Sequence, residues 1–287
     1  MEKVSVEGIT LYLAHPDELN LICVGQEEVI RQILAAWMVI DEHDLPLNPR
    51  LVGKPGVGKT TLAYAAARRL GKEVYIFQAT VDTRPEDLLV TPVISDEGRI
   101  RYMASPIVSA MIKGGVAIID EANRMSEKSW ASLAPLLDSR RYVESIVAGI
   151  KIKAHPEFRI CVTMNEDAST FEVPEYIHSR LQPQIYVDFP EPEEEKEILR
   201  ANLPFADEEI LNYVVSFLQL AHRAGESFSV RDGVNIARYA LKRLAGLDKG
   251  RDKKETIKDA IVQTLGHSAL LFWPDNKDEG NYLRPVN

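Results

Sequence analysis

The sequence predicts an α/β fold, a parallel sheet covered on both faces by helices, followed by a smaller α-helical domain. Three observations in the 287 residues carry this. Gly53 to Thr60 reads GKPGVGKT, a match to the phosphate-binding pattern GxxxxGK[ST], set between the extended pair Leu51-Val52 and the Ala-rich helical stretch Thr61 to Leu70. Strand and helix patterns alternate from Pro49 to Asp188, as in a parallel sheet with helical crossovers. From Pro190 onward only helical patterns recur, which places a boundary between residues 1–189 and 190–287.

In chain order, Val4 to Leu13 alternates, and Glu28 to Ile40 is predicted helical with Val29, Ile33, Ala36 and Trp37 on one face. Strand Pro49 to Val52 leads into the Gly-rich loop and its helix, which Gly71 ends; Val74 to Gln78 is the next strand. Asp96-Glu97-Gly98 lies between the extended runs Val93-Ile94 and Arg99 to Met103, a hairpin unusual for a simple parallel sheet. Helix Ser105 to Lys113 stops at Gly114-Gly115, before the apolar strand Val116 to Ile119. Ser126 caps a helix toward Leu137 that Pro135 kinks or stops early. A second hairpin, Arg141 to Ser145 with Gly149 to Lys153, precedes strand Phe158 to Met164, helix Pro174 to Leu181 and strand Ile185 to Asp188. The C-terminal helices are expected at Glu193 to Ala201, Asp207 to Arg223, Ser229 to Leu244 and Lys253 to Leu271, with an aperiodic tail from Trp273.

With 45% hydrophobic and 27% charged residues, the chain belongs with ordinary globular proteins rather than disordered ones. A net charge of −9 without a Lys/Arg block gives no global attraction for nucleic acid or an anionic membrane, although a local basic pore still suits a polyanion. Cys23 and Cys161 lie in apolar runs and read as core thiols of a reducing compartment, and the scattered histidines argue against structural zinc. No apolar run reaches membrane-spanning length and no secretion signal is evident, so a cytoplasmic location is expected.

The chemistry centres on the loop. Gly53, Gly56 and Gly58 permit a backbone that aims several N–H groups at one anion, Lys59 adds a charge for terminal phosphates, and Thr60 offers a hydroxyl to Mg²⁺. The apolar strand ending in Asp120-Glu121 delivers two carboxylates where open parallel sheets bind ligands: Asp120 for the metal, Glu121 for polarising a water. Alone, such a strand end equally suits contact with solvent. Asn165 closes the next strand, where its amide suits a γ-phosphate or water contact; it also suits a turn. Arg180 reads as a finger reaching a neighbouring subunit's γ-phosphate or as a surface arginine, and Arg231 as a reporter of nucleotide state or a helix-start residue paired with a carboxylate.

Together these residues resemble the AAA+ ATPase superfamily, in detail its MoxR-like, helix-2-insert branch related to dynein. VGQE at Val24 to Glu27 resembles the family's motif beside the adenine. Gly53 to Thr60 is similar to the Walker A element, Val116 to Glu121 to Walker B, and DEANR at Asp120 to Arg124 to the DEINR of MoxR proteins. The two hairpins stand where that branch carries its helix-2 and pre-sensor-1 insertions.

The resemblance implies a P-loop NTPase core of strand order 5-1-4-3-2 with a helical lid. It implies ATP and Mg²⁺ as cofactors and nucleotide contacts from Val24, Gly53, Pro55, Gly56, Val57, Gly58, Lys59, Thr60 and Thr61. The metal would be held by Thr60 and Asp120. Catalytic roles fall to Glu121, Asn165 as sensor 1, Arg180 as the arginine finger and Arg231 as sensor 2. It further implies a homo-oligomeric, hexameric ring that remodels a protein client, among them von Willebrand factor A domain proteins, with nucleic acid less favoured and no membrane. Alternatives are a nucleic-acid-directed NTPase motor of the McrB kind, drawing on Lys151, Lys153 and Arg159, and a regulatory ring assembled by ATP.

Overall fold

A computed structural model describes residues 2–20, 23–166 and 173–275. The expectations for 21–22, 167–172 and the tail beyond 275 lie outside these residues. The chain separates into two compact units. The first holds Met1–Leu21, Glu27–Gly53 and Gly58–Val187; the second holds Ile22–Gln26, Lys54–Val57 and Asp188–Asn287.

In the first unit β1 (Lys3–Val6) and β2 (Ile9–Tyr12) form a hairpin turned by Glu7 and Gly8, both at positive φ. Helix α1 (Glu27–Trp37) ends three residues before the predicted Ile40, leaving Met38, Val39 and Ile40 exposed; Ile30 rather than Val29 joins Ile33, Ala36 and Trp37 in the core. The alternation then runs β3 (Arg50–Gly53), α2 (Lys59–Arg69), β4 (Val74–Gln78), α3 (Pro85–Leu88), β5 (Val90–Ile94), β6 (Ile100–Ala104), α4 (Pro106–Lys113) and β7 (Val116–Asp120). It continues with α5 (Glu127–Leu133), β8 (Tyr142–Ser145), β9 (Ile150–Lys153), β10 (Arg159–Asn165), α6 (Glu175–His178) and β11 (Gln184–Tyr186). Pro135 has no N–H to offer, and α5 accordingly stops at Leu133. Helix α6 is a single turn, much shorter than the predicted Pro174 to Leu181.

Five strands form a parallel sheet in the order β11-β3-β10-β7-β4, which is 5-1-4-3-2 when its own strands are counted along the chain. Both faces are covered, which is why the strands are continuous apolar runs. On one face Ala117 and Ile119 of β7 and Ile160 and Val162 of β10 join a core with Ile107, Met111 and Trp130 from α4 and α5. Their neighbours Val116, Ile118 and Cys161 are buried on the other face, where α2 packs against β3, β4, β7 and β10. Burial pushes the Cys161 thiol pKa up, so this cysteine is an inert core group, whereas Cys23 is half-buried. The β5–β6 hairpin does not stand alone. β6 pairs in parallel with β2, giving a second sheet β1-β2-β6-β5 that ties the amino terminus to the insertion.

The second unit contains α7 (Pro192–Asn202), α8 (Glu208–Arg223), α9 (Val230–Ala245) and α10 (Lys253–Leu265). Asp207, Ser229 and Asp252 cap the last three, each accepting from a backbone N–H of the first turn. The predicted single helix to Leu271 divides at Gly266, which adopts φ 92°, and a 3₁₀ segment His267–Phe272 follows. Apolar faces of these helices enclose Leu199, Phe217, Leu218, Ile236 and Ile257, and Trp273 completes this core by stacking on Tyr213. No described helix is long and apolar enough to cross a membrane.

Glu195 of α7 is fully buried: one carboxylate oxygen accepts from Gln219 Nε2 at 2.9 Å, and the other has no hydrogen-bond partner. Burial pushes its pKa from 4.5 up to about 7, opposed by the Gln219 bond. Between those values the unfolded chain releases a proton that the folded chain retains. Folding stability therefore falls as pH rises through this window, by on the order of 3 kcal/mol. Urea unfolding followed at pH 5 and pH 8 should show that loss in the parent and a smaller loss in Glu195→Gln; equal losses would remove Glu195 as its source.

Candidate functional site

Three strands of the first sheet end together at the site. In the parallel register Asn165 of β10 is opposite Gly53 of β3, and Val162 of β10 is opposite Ile119 of β7. The carboxyl ends of these strands therefore present Gly53, Asp120 and Asn165 along one edge of the sheet, where open α/β sheets take ligands.

After Gly53 the backbone turns through Gly56 at φ 80° and Gly58 at φ 95°. These left-handed conformations suit glycine because it lacks a Cβ. Gly58 is the N-cap of α2 and supplies no side chain, so its first N–H groups remain available to an anion at the positive end of the helix dipole. Lys59 is buried and donates from Nζ to the Gly53 carbonyl at 2.8 Å, which folds its ammonium back along the loop.

Asp120 is held from two sides. Thr60 Oγ1 donates to Asp120 Oδ1 at 2.6 Å, and Thr163 Oγ1 donates to the same oxygen. Thr163 also accepts from the Glu121 backbone N–H at 3.1 Å, so a single hydroxyl fixes both acids. Glu121 has φ 53° and ψ 40°, a left-handed conformation costly for a residue with a Cβ, and a 3₁₀ turn, Ala122–Arg124, follows. This backbone reversal separates the tasks of two adjacent carboxylates. The Glu121 carboxylate has Arg124 Nε 2.6 Å from Oε2, an ion pair whose N–H is not aligned for a hydrogen bond. Asn123, also buried, exchanges two bonds with the Asn165 backbone, donating to its carbonyl at 2.9 Å and accepting from its N–H at 3.4 Å. That pair fixes where the Asn165 side chain starts.

Lys59, Thr60, Asp120, Glu121 and Asn165 are thus brought together around the end of the sheet. Thr163, Asn123 and Arg124 complete the arrangement; no role for them follows from the sequence alone, although Asn123 and Arg124 belong to the DEANR stretch. The available signal was a lone threonine in the apolar run RICVTM, together with two polar residues after Asp120-Glu121 whose roles depend on the turn there.

Arg180 stands apart from this cluster, just before edge strand β11. It donates from Nη1 to the Tyr176 carbonyl at 2.6 Å, and its Nε is 3.4 Å from Asp138 Oδ2. The bidentate hydrogen bonds of Arg140 hold the Asp138 carboxyl pKa down at about 2, with Arg180 adding to the effect.

Of the other expected residues, Val24, Pro55, Gly56, Val57 and Arg231 lie in the second unit. Ser229 rests against Gly56, so a Cβ on that glycine would meet its Oγ at 2.5 Å. Gln26, two residues after the half-buried Val24, accepts nothing on its buried Oε1; its backbone N–H donates to Glu194 and its Nε2 to the Asp188 carbonyl. Arg231 is exposed in the first turn of α9, and among the described residues no carboxylate pairs with it, unlike the helix-start alternative. Arg159 donates to the carbonyls of Trp37, Pro156 and Phe158, so its guanidinium is engaged in holding the fold.

A metal of the expected kind fits the donor set. Mg²⁺ takes hard oxygen ligands and keeps several waters, so one carboxylate and one hydroxyl suffice, and Asp120 and Thr60 already place theirs 2.6 Å apart. Among the described residues there is no group of three or more His, Cys, Asp or Glu side chains suited to a metal.

Comparison with known proteins points the same way. Residues 50–181 match the AAA domain of the dynein-related subfamily. The protein MoxR of Paracoccus denitrificans is 31% identical over 191 residues, covering 66% of this chain and 53% of that protein. An uncharacterized protein of Staphylococcus haemolyticus is 27% identical over 76% of this chain and 90% of its own length. Among solved structures, the Thermotoga maritima RuvB Holliday junction branch migration motor superposes with a TM-score of 0.56 at 17% identity, covering 83% of this chain and 69% of that one. At such identity the likeness concerns the fold alone. Residues 50–181 thus carry a domain of the dynein-related AAA type, and the phosphate loop and the sheet order agree with that match.

Proposed function

We propose that the protein hydrolyses ATP at the interfaces of a homo-oligomeric ring, hexameric by analogy with its family, and uses the cycle to remodel or activate a partner protein. The observation that carries this reading is the placement of Lys59, Thr60, Asp120, Glu121 and Asn165 at the joined ends of β3, β7 and β10. In this reading Gly53, Pro55, Gly56, Val57, Gly58, Lys59, Thr60 and Thr61 cradle the phosphates, with Val24 beside the base. Thr60 and Asp120 hold Mg²⁺, which when bound neutralises phosphate charge.

Glu121 orients a water and accepts its proton as the oxygen attacks the γ-phosphorus; the bond to the bridging oxygen breaks, giving ADP and phosphate. Asn165 contacts the γ-phosphate or the water. Arg180 acts on the site of the adjacent subunit, where its fixed charge stabilises the transition state, and Arg231 carries the nucleotide state to the helical domain, the lid. A von Willebrand factor A domain protein is a candidate client.

Arg180→Ala should lower turnover of the assembled ring by roughly 10²-fold. Mixing it with a Lys59→Ala chain that keeps Arg180 should restore part of the activity, because the second chain supplies the finger to the first chain's intact site. Phosphate release measured across mixing ratios checks this, and absence of rescue would count against action between subunits.

A further inference from the structure

Asp138 and Asn48 bind the Arg180 segment from two directions. Asn48 is buried and donates from Nδ2 both to the Leu137 carbonyl at 2.9 Å and to the Arg180 carbonyl at 3.0 Å. One amide therefore ties the backbone just before Asp138 to the backbone of Arg180. Asp138 is itself immobilised without help from Arg180. Its Oδ1 accepts from the Arg140 backbone N–H and Nε, each at 3.0 Å, and its Oδ2 accepts from Arg140 Nη2 at 2.8 Å. Its link to Arg180 Nε, at 3.4 Å, is longer.

The Arg180 side chain remains 28% exposed, and among the described residues no partner engages its Nη2. The guanidinium is thus held by a preset carboxylate and the Tyr176 carbonyl, with its carbon 5.8 Å from the centre of the Tyr176 ring. An arginine side chain has substantial rotamer entropy to lose when it is fixed. A partner that restricts it beforehand leaves less of that loss to the moment of reaction.

We infer that Asp138 is a positioning residue for Arg180, aiming its guanidinium toward an adjacent subunit, with Asn48 as the clamp that keeps the two segments in register. The inference rests on the reading of Arg180 as an intersubunit finger. Arg140 has the supporting task of holding Asp138 ionised and in place.

The test uses full-length chains and phosphate release at saturating and limiting ATP. Asp138→Ala should lower kcat by roughly 10-fold to 10²-fold with KM unchanged. The double variant Asp138→Ala/Arg180→Ala should be no slower than Arg180→Ala alone. Mixing Asp138→Ala with Lys59→Ala chains should restore turnover as it does for Arg180→Ala, since the fault acts on a neighbour's site. Loss of a structural support within one subunit would give neither the non-additivity nor the rescue. Asp138→Asn keeps the shape and an acceptor but not the charge, and serves if the alanine variant fails to fold; a smaller fall in kcat is expected. Parental kcat in the folded Asp138 variants, additive losses, or no rescue on mixing would overturn the positioning role while leaving the finger intact. Parental kcat in Arg180→Ala would instead overturn the finger reading itself.

Discussion

Glu121→Gln should turn over ATP about 10³–10⁴-fold more slowly than the parent while binding nucleotide with little change. The amide is nearly isosteric with the carboxylate, so the left-handed backbone at φ 53° and the N–H bond to Thr163 should survive. What disappears is the group able to take a proton from the attacking water. Lys59, Thr60 and Asp120 have separate hydrogen bonds and are untouched, which is why binding should persist. The Arg124 ion pair sharpens the expectation. Arg124 Nε lies 2.6 Å from Glu121 Oε2, and the uncharged glutamine should be held less firmly there. Single-turnover phosphate release together with a nucleotide titration checks both halves. Parental turnover would remove Glu121 from its assigned role, and lost binding would show that the residue supports the loop.

Much of this site was legible because its chemistry is written in contiguous stretches. The glycines of the loop, the lysine after them and the acids at the end of an apolar strand are local patterns, and the hairpins at Gly98 and Gly149 announce themselves through positive-φ glycines between extended runs. Contacts that depend on register were not legible. Thr163 serves both acids only because β10 lies beside β7, and Asp138 meets Arg180 only because Asn48 holds two distant loops together. Pairing of β2 with β6 was hidden for the same reason: each hairpin shows its own alternation, but nothing local shows which edge accepts another strand. Helix ends failed where tertiary packing or a glycine overrode periodicity. Met38 to Ile40 continue an apolar pattern without a surface to cover, and Gly266 at φ 92° interrupts one that otherwise runs on.

Gly53→Ala should destabilise the first unit by roughly 3 kcal/mol or more and abolish nucleotide binding. The residue is needed for space, in contrast to Gly58. A Cβ there would fall 2.1 Å from the Val187 carbonyl oxygen. That atom is backbone, carried by a segment whose N–H donates to the Val52 carbonyl at 2.8 Å, so no side-chain rotation relieves the overlap. Either the chain after β11 moves away from β3, giving up that bond, or β3 shifts against β10 and displaces Gly53 from its register with Asn165. Both movements also disturb the Gly53 carbonyl that receives Lys59 Nζ, so stability and phosphate binding should fail together. Gly58→Ala provides the contrast. No atom lies within 4 Å of its added Cβ, and its cost is confined to φ 95°, about 1–2 kcal/mol. Thermal unfolding of the two variants, each with and without nucleotide, separates the cases. A Gly53→Ala protein as stable as Gly58→Ala would mean that the strand beside Val187 yields more easily than its backbone bonding implies.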